Sequence, residues 1–287
     1  AAMAAGLSIA IGLGATACSR DYVSDCVYAV SARSGNIKGF AVDYQSSILV
    51  PITGSPFTPT FTRETTFDSA GSAKPTAYPK ANLGGITISH IDADGYGDLT
   101  SALRFTAPDD GNANDHTVAE ITLPHPLAPN DSITFHLAFH DQFPQSVARN
   151  GYKRDFIMGG QWYPKPGVFW HGAWNCHQYH ASTEFFSDFA TFHVSLTLPK
   201  RYIVGASGVP TGQTVNSDGT KTLTFYGEDI GDFAWAASPH FTVTDGTFLS
   251  SMGPVKIHVL ALAAHPKAGA RYLGILQKTM LQFDRCY

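Results

Sequence analysis

The stretch "SITFHLAFHDQFP" (residues 132–144) alternates apolar and polar side chains. Ile133, Phe135, Leu137 and Phe139 share one face, and Thr134, His136 and His140 share the other. A period of two belongs to a strand with one face in a core and one toward solvent. "ATFHVSLTLP" (190–199) repeats the pattern, with Phe192, Val194, Leu196 and Leu198 pointing inward. Working outward, "TVAEITLP" (117–124), "KTLTFYG" (221–227), "HFTVTDG" (240–246) and "PVKIHVLAL" (254–262) read as further strands. Turn signals fall at Asp110-Gly111, Ser217-Asp218-Gly219 and Asp245-Gly246, where small and side-chain-capping residues reverse a chain at low cost. Strands at this spacing predict an all-β fold, a sandwich or a large antiparallel sheet. Ser19 to Pro59 holds short apolar runs such as "SSILVPI" between Gly, Ser and Pro breaks and reads as less regular strands.

The last segment changes character. In "HPKAGARYLGILQKTMLQFDRCY" (265–287) the residues Leu273, Leu276, Met280 and Phe283 recur at intervals of three and four. That spacing predicts one amphipathic helix, with Pro266 suited to its first turn. A strand-rich body followed by a lone amphipathic helix is expected to leave part of that apolar stripe uncovered.

Composition narrows the function classes. The chain has 287 residues, 44% hydrophobic, with a formal net charge of -4 and 19 Lys plus Arg. That is enough chain for a well-buried core, and no basic stripe is present, which speaks against a nucleic-acid partner. The amino end is apolar from Ala1 to Ala17, and Ala15-Thr16-Ala17 fits a small-residue cleavage pattern, so an exported protein is expected. Cys18 directly after it is compatible with a lipoprotein-like site, and a buried strand or helix is the other reading of the same stretch. Cys18 and Cys26 are close enough in sequence to pair in an oxidising compartment, whereas Cys176 and Cys286 are expected as free buried thiols.

The densest chemical cluster is "WNCHQYH" (174–180), with Cys176, His177 and His180 inside five positions and His171 and His193 as possible completing ligands. A zinc site needs three or four such groups in tetrahedral array. This spacing fits no zinc-finger or catalytic template, and aromatic neighbours favour a structural role. "DADGYGD" (92–98) and "DDGNAND" (109–115) offer oxygen ligands, but counting from Asp110 the sixth and twelfth positions are Asp115 and Ile121, where a calcium loop needs Gly and Glu. They read as side-chain-capped turns. No H-E-x-x-H, G-x-S-x-G or phosphate-binding loop is present, and Ser207 in "GASG" (205–208) reads as a turn.

Several motifs together carry a resemblance. Q-W-Y-P-K (161–165), E-F-F-S-D-F (184–189), F-H-V-S-L-T-L-P (192–199), V-G-A-S-G (204–208) and "GEDIGDFAWAASPHF" (227–241) resemble, in order, the N-terminal domain of the aminopeptidase N family of zinc metallopeptidases. "VKIHVLALAAHPKAGARYLGILQKTMLQF" (255–283) is similar to the family's passage from that domain into its catalytic domain. The resemblance covers Leu99 to Cys286, extends loosely over Phe61 to Asp98, and does not place Ser19 to Thr60.

The resemblance implies a large antiparallel β-sandwich or saddle, followed by a strand and helix that begin a thermolysin-like catalytic domain. It divides the chain into a signal-like or lipoprotein-like segment (1–18), the sandwich (19–247) and the linker strand with first helix (248–287). The family's G-x-M-E-N and H-E-x-x-H motifs are not in this sequence. No catalytic residue and no metal ligand is therefore expected here; zinc, which polarises the scissile carbonyl and activates water in such enzymes, would belong to the parent. The implied partners are the missing catalytic domain and a peptide substrate. Gln161 and Glu184 are the candidates for contact with the peptide's amino group. Two other readings stay open on the residues alone: a stand-alone binding or adhesion module on the same sandwich, and a small metalloprotein built on Cys176 and the nearby histidines.

Overall fold

A computed structural model gives the fold. It describes residues 84–113, 116–127, 132–144, 150–170, 173–178 and 186–286, together with the strand backbones of Ser8–Gly14, Asp21–Ser31, Gly39–Phe40, Arg63–Phe67 and Ala73–Ala77. The protein is all-β, with antiparallel sheets and a helix, Ala268–Cys286, near its carboxyl end.

An eight-stranded sheet forms the frame. Its order is Val209–Val215, Thr220–Ile230, Ala190–Pro199, Ser8–Gly14, Asp21–Ser31, Ser132–Gln142, Gly85–Ala93 and Gly97–Asp98. Every pairing in it is antiparallel except that of Ser8–Gly14 with Ala190–Pro199, which sets Ile9 beside Phe192. The apolar 1–17 stretch thus contributes a strand at an internal position of the sheet. The two patterned strands behave as their alternation requires. Ile133, Phe135, Leu137 and Phe139 are each no more than 2% exposed, as are Phe192, Val194 and Leu196, because in-register neighbours turn the same parity toward one face.

Smaller sheets close over that face. Asn150–Lys153, Phe156–Gly159, Trp235–Ser238 and Ile203–Ala206 make a four-stranded sheet, and Gly39–Phe40, Val118–Ile121 and Leu103–Thr106 a three-stranded one. Their inward residues, among them Ile121, Trp235 and Ala237, join the strand residues above and the irregular Trp162, Tyr163 and Phe233 in one continuous core. Asp110 and Asp218 cap the turns expected at those positions, accepting from the backbone N–H of Asn112 at 2.9 Å and of Thr220 at 3.0 Å.

A separate unit follows. The strands Phe241–Ser250 and Gly253–Leu262 pair along their whole length, and the helix packs on them around Phe248, Ile257 and Val259. The turn expected at Asp245-Gly246 is not there: both residues lie inside the first strand, and the reversal comes at Ser251-Met252. Gly246 reflects close approach instead of chain reversal, since a Cβ there would stand 2.4 Å from Leu273 Cδ1 on the helix. Gly269 answers it, with Thr244 Oγ1 2.2 Å from where its Cβ would be. The 247/248 division falls inside this strand, and Pro266 lies two residues ahead of the first helical residue.

The helix stripe is split. Leu273 and Met280 pack on the hairpin, whereas Leu276 and Phe283 are 41% and 59% exposed. With Tyr272 and Ile275 they form an apolar strip beside the buried face. Cys286 is free but exposed, correcting the expectation of a buried thiol; Cys176 is free and half-buried. A Cys18–Cys26 pairing lies outside the described residues.

Candidate functional site

The Q-W-Y-P-K segment is where chemistry concentrates. It follows the strand Phe156–Gly159 and enters the core, with Trp162 and Tyr163 each 1% exposed. Buried aromatic side chains that carry a donor need partners. Trp162 Nε1 donates to the Phe233 carbonyl at 2.9 Å, and Tyr163 Oη donates to Asp232 Oδ1 at 2.7 Å. Lys165, 5% exposed, sets its Nζ 3.0 Å from Asp232 Oδ2 and donates to Ser187 Oγ at 3.3 Å. Asp232 Oδ1 also accepts its neighbour Phe233's N–H at 2.9 Å. One carboxylate thereby ties the 161–165 segment to the loop before Trp235, and Trp162 crosses Trp235 edge-on with ring centroids 6.0 Å apart. The ammonium is charge-paired, which suits it to holding this wall together.

Gln161 stands at the start of this wall, half-buried. Its backbone carbonyl accepts from Asn150 Nδ2 at 3.3 Å, and its side-chain Oε1 is buried with no hydrogen-bond partner among the described residues. Glu184, the second candidate, lies outside the described residues, as do His171 and His180.

The described part of "WNCHQYH", Trp174 to Gln178, forms a latch. Ala173–Asn175 pairs with Val168–Trp170 as a short hairpin, with Phe169 and Trp174 edge-to-face at 5.4 Å. His177 Nδ1 lies 2.7 Å from Asp109 Oδ1. Gln178, 3% exposed, accepts the Asp109 N–H on its Oε1 at 3.0 Å and donates from Nε2 to Asp110 Oδ1 at 3.0 Å. Burial pushes the Cys176 thiol up to about 11, so it stays a protonated thiol at neutral pH instead of the thiolate that metals and electrophiles require. His193, on the strand Ala190–Pro199, stands against Tyr226 with ring centroids 4.9 Å apart. Among the described residues no three His, Cys, Asp or Glu side chains are grouped to hold a metal ion.

The acidic turns are likewise engaged. His90 Nε2 meets Asp92 at 3.0 Å and His136 Nε2 meets Asp94 at 3.1 Å. Hydrogen bonds from Thr100 hold the Asp98 carboxyl below the usual carboxylate range.

With this geometry in place, the comparison with solved structures is informative. The chain shares its fold with M1 zinc metallopeptidases. A mutant of the Deinococcus radiodurans M1 zinc metallopeptidase bound to a Tyr-Ser-Ala substrate superposes with a TM-score of 0.51 at 16% identity, over 90% of this chain and 47% of that one. A two-domain M1 zinc metallopeptidase mutant bound to L-tryptophan gives 0.51 at 15% identity, over 89% and 47%. Legionella pneumophila aminopeptidase A in complex with aspartic acid gives 0.52 at 10% identity, over 90% and 24%. The chain therefore spans less than half the length of these structures. No family model and no curated protein matches the sequence.

Three further residues organise these elements without standing out as ligand or catalytic motifs in the sequence. Asp232 sits in the quoted "GEDIGDF", although nothing local says it will meet Lys165, 67 residues away. Gln178 lay within the cluster but was not a metal-ligand type. Asp141 continues the inward parity of Ile133, Phe135, Leu137 and Phe139, and is an acid on an apolar face.

Proposed function

We propose that this chain is the non-catalytic, β-rich amino-terminal part of a zinc-dependent, aminopeptidase-like metallopeptidase, whose parent reaction removes amino-terminal residues from peptides. The carrying observation is the extent of the shared fold: about nine-tenths of this chain against 47% or less of each M1 structure. The ordered motifs from Gln161 to Phe283 point the same way. Zinc would belong to the remainder of the parent; the donor set among the described residues does not fit it, and no step of the reaction is assigned to side chains of this chain.

The partner in this reading is the catalytic domain, docked against the exposed strip of Tyr272, Ile275, Leu276 and Phe283. Apolar strips of this kind are covered in functional assemblies. Gln161, with Glu184, is the candidate for the wall of the cleft that receives the peptide's amino group, on the place of Q-W-Y-P-K and E-F-F-S-D-F among the ordered motifs. The division at 1–18, 19–247 and 248–287 belongs to the same proposal. Export is also proposed, on the apolar 1–17 stretch. Cell fractionation with amino-terminal sequencing tests it: an exported protein that starts at Cys18, without the internal strand Ser8–Gly14, supports export by cleavage there, and an unexported protein that retains that strand contradicts it.

The functional test uses the purified chain with added zinc and amino-acyl p-nitroanilides. The expected result is no hydrolysis and no stoichiometric zinc. Zinc-dependent release of p-nitroaniline by this chain alone refutes the proposal and favours the metalloprotein reading.

A further inference from the structure

The helix Ala268–Cys286 carries a second exposed feature besides its apolar strip. Arg271, Lys278 and Arg285 recur every seven residues, and Lys267 stands one turn before Arg271. Seven residues are close to two helical turns, so these cations fall in one stripe, about 21 Å long from Arg271 to Arg285. All four are exposed. No Asp or Glu lies within four residues of Lys267, Arg271 or Lys278. The one acid of the helix, Asp284, is turned to the hairpin, where it accepts the Ser251 N–H at 2.9 Å and the Ser251 hydroxyl at 2.8 Å. In sequence the cations are scattered; helical winding gathers them, on a chain whose net charge is -4.

Apolar side chains border the stripe. Ile275 and Leu281, 45% and 38% exposed, flank it on either side. At its end the Ser251–Asp284 bonds fix the hairpin tip beside Arg285, and the tip presents Met252 and Leu249, 97% and 78% exposed. Lys256 is also exposed, on the same face of the hairpin as Leu249. Tyr272, Leu276 and Phe283 lie roughly 100–180° round the helix axis from the cations, so the strip and the stripe face different ways.

We propose that the stripe and the hairpin tip form a peripheral contact for an anionic lipid surface. The stripe and Lys256 meet the headgroups, and Ile275, Leu249 and Met252 enter the interfacial layer. Clustered Lys and Arg on an amphipathic helix are drawn to anionic leaflets, and exposed apolar side chains beside them add burial. A nucleic acid would answer the charges alone and leave Met252 and Leu249 in water. A lipid surface answers both, and a protruding tip needs no matching pocket in a deformable layer. The contact is peripheral: among the described residues no helix is long and apolar enough to cross a membrane. It leaves Tyr272, Leu276 and Phe283 to the catalytic domain, and it belongs to this chain with or without that domain.

Co-sedimentation of the purified chain with vesicles tests it, phosphatidylcholine alone against phosphatidylcholine mixed with phosphatidylglycerol. The expected result is binding to the anionic vesicles only, lost at about 1 M salt, where screening acts within about 3 Å. Arg271→Gln with Lys278→Gln should bind about 25-fold more weakly, from about fivefold per exposed cation at such a surface. Met252→Ser should also bind more weakly while keeping the salt dependence. The glutamines replace exposed helical residues with a good helix former, and circular dichroism checks the fold; should the double variant not fold, the salt and lipid comparisons on the wild type still decide. Equal binding to neutral vesicles overturns the proposal and assigns attachment to the apolar strip. Full affinity in either variant, or no binding to either vesicle, overturns it as well. Capture by immobilised polyglutamate without binding to vesicles also overturns it, and assigns the stripe to an acidic protein.

Discussion

Replacing Asp232 with Asn should destabilise the protein more than removing the lysine it pairs with. Lys165 Nζ and Asp232 Oδ2 are 3.0 Å apart, with the lysine side chain 7% and the aspartate side chain 27% exposed. At an effective dielectric of about 20 their attraction is about 5 kcal/mol before desolvation. Asp232→Asn preserves an Oδ1 for Tyr163 and the Phe233 N–H, but strands a buried ammonium beside an amide. Breaking a buried pair from one side costs about 3–5 kcal/mol, and the partial exposure of Asp232 places the loss near about 3 kcal/mol. Lys165→Met leaves a carboxylate that still accepts from Tyr163 and Phe233 and reaches water, so about 1–2 kcal/mol is expected. Urea unfolding followed by tryptophan fluorescence suits the measurement, because Trp162 and Trp235 flank the pair. An Asp232→Asn loss below about 0.5 kcal/mol, or a larger loss from Lys165→Met, refutes the assignment of Asp232 as the tie of this wall.

Gly269→Val should detach the helix from its hairpin, since even a Cβ there meets Thr244 Oγ1; a loss of about 1–3 kcal/mol is expected, and unchanged protease resistance of residues 268–286 contradicts it. Alkylation at about pH 8 with peptide mapping should label exposed Cys286 rapidly and Cys176 far more slowly, because burial holds the Cys176 thiol near about 11. Comparable labelling of the two contradicts that. Ile275→Lys with Leu276→Lys should lower binding of an apolar dye while changing stability by less than about 0.5 kcal/mol, as both are exposed. A large destabilisation would show that these side chains hold the helix down.

Legibility followed the range of the interactions. The alternation at 132–140 and 190–199 fixed which residues face the core, because side-chain parity is a local property of a strand. The helix was legible for the same reason, yet its single apolar stripe is divided between a buried and an exposed part, and only the hairpin's position determines where the division falls. Asp245-Gly246 misled because the glycine serves an approach by Leu273, 27 residues on, and not a reversal of its own chain. The ties of the candidate site, Lys165 to Asp232 and Gln178 to Asp109 and Asp110, are contacts across 67 to 69 residues, and no local pattern encodes a partner at that distance. Asp141 was the exception: its parity was readable, and an acid on an apolar face is a local contradiction of the pattern.

The central claim is that this chain is the non-catalytic portion of a longer metallopeptidase. Reading the encoding locus beyond the codon for Tyr287 tests it most directly. The account predicts an open frame that continues into G-x-M-E-N and H-E-x-x-H. A stop codon immediately after Tyr287 contradicts it, and would leave a stand-alone β-sheet module without peptidase activity.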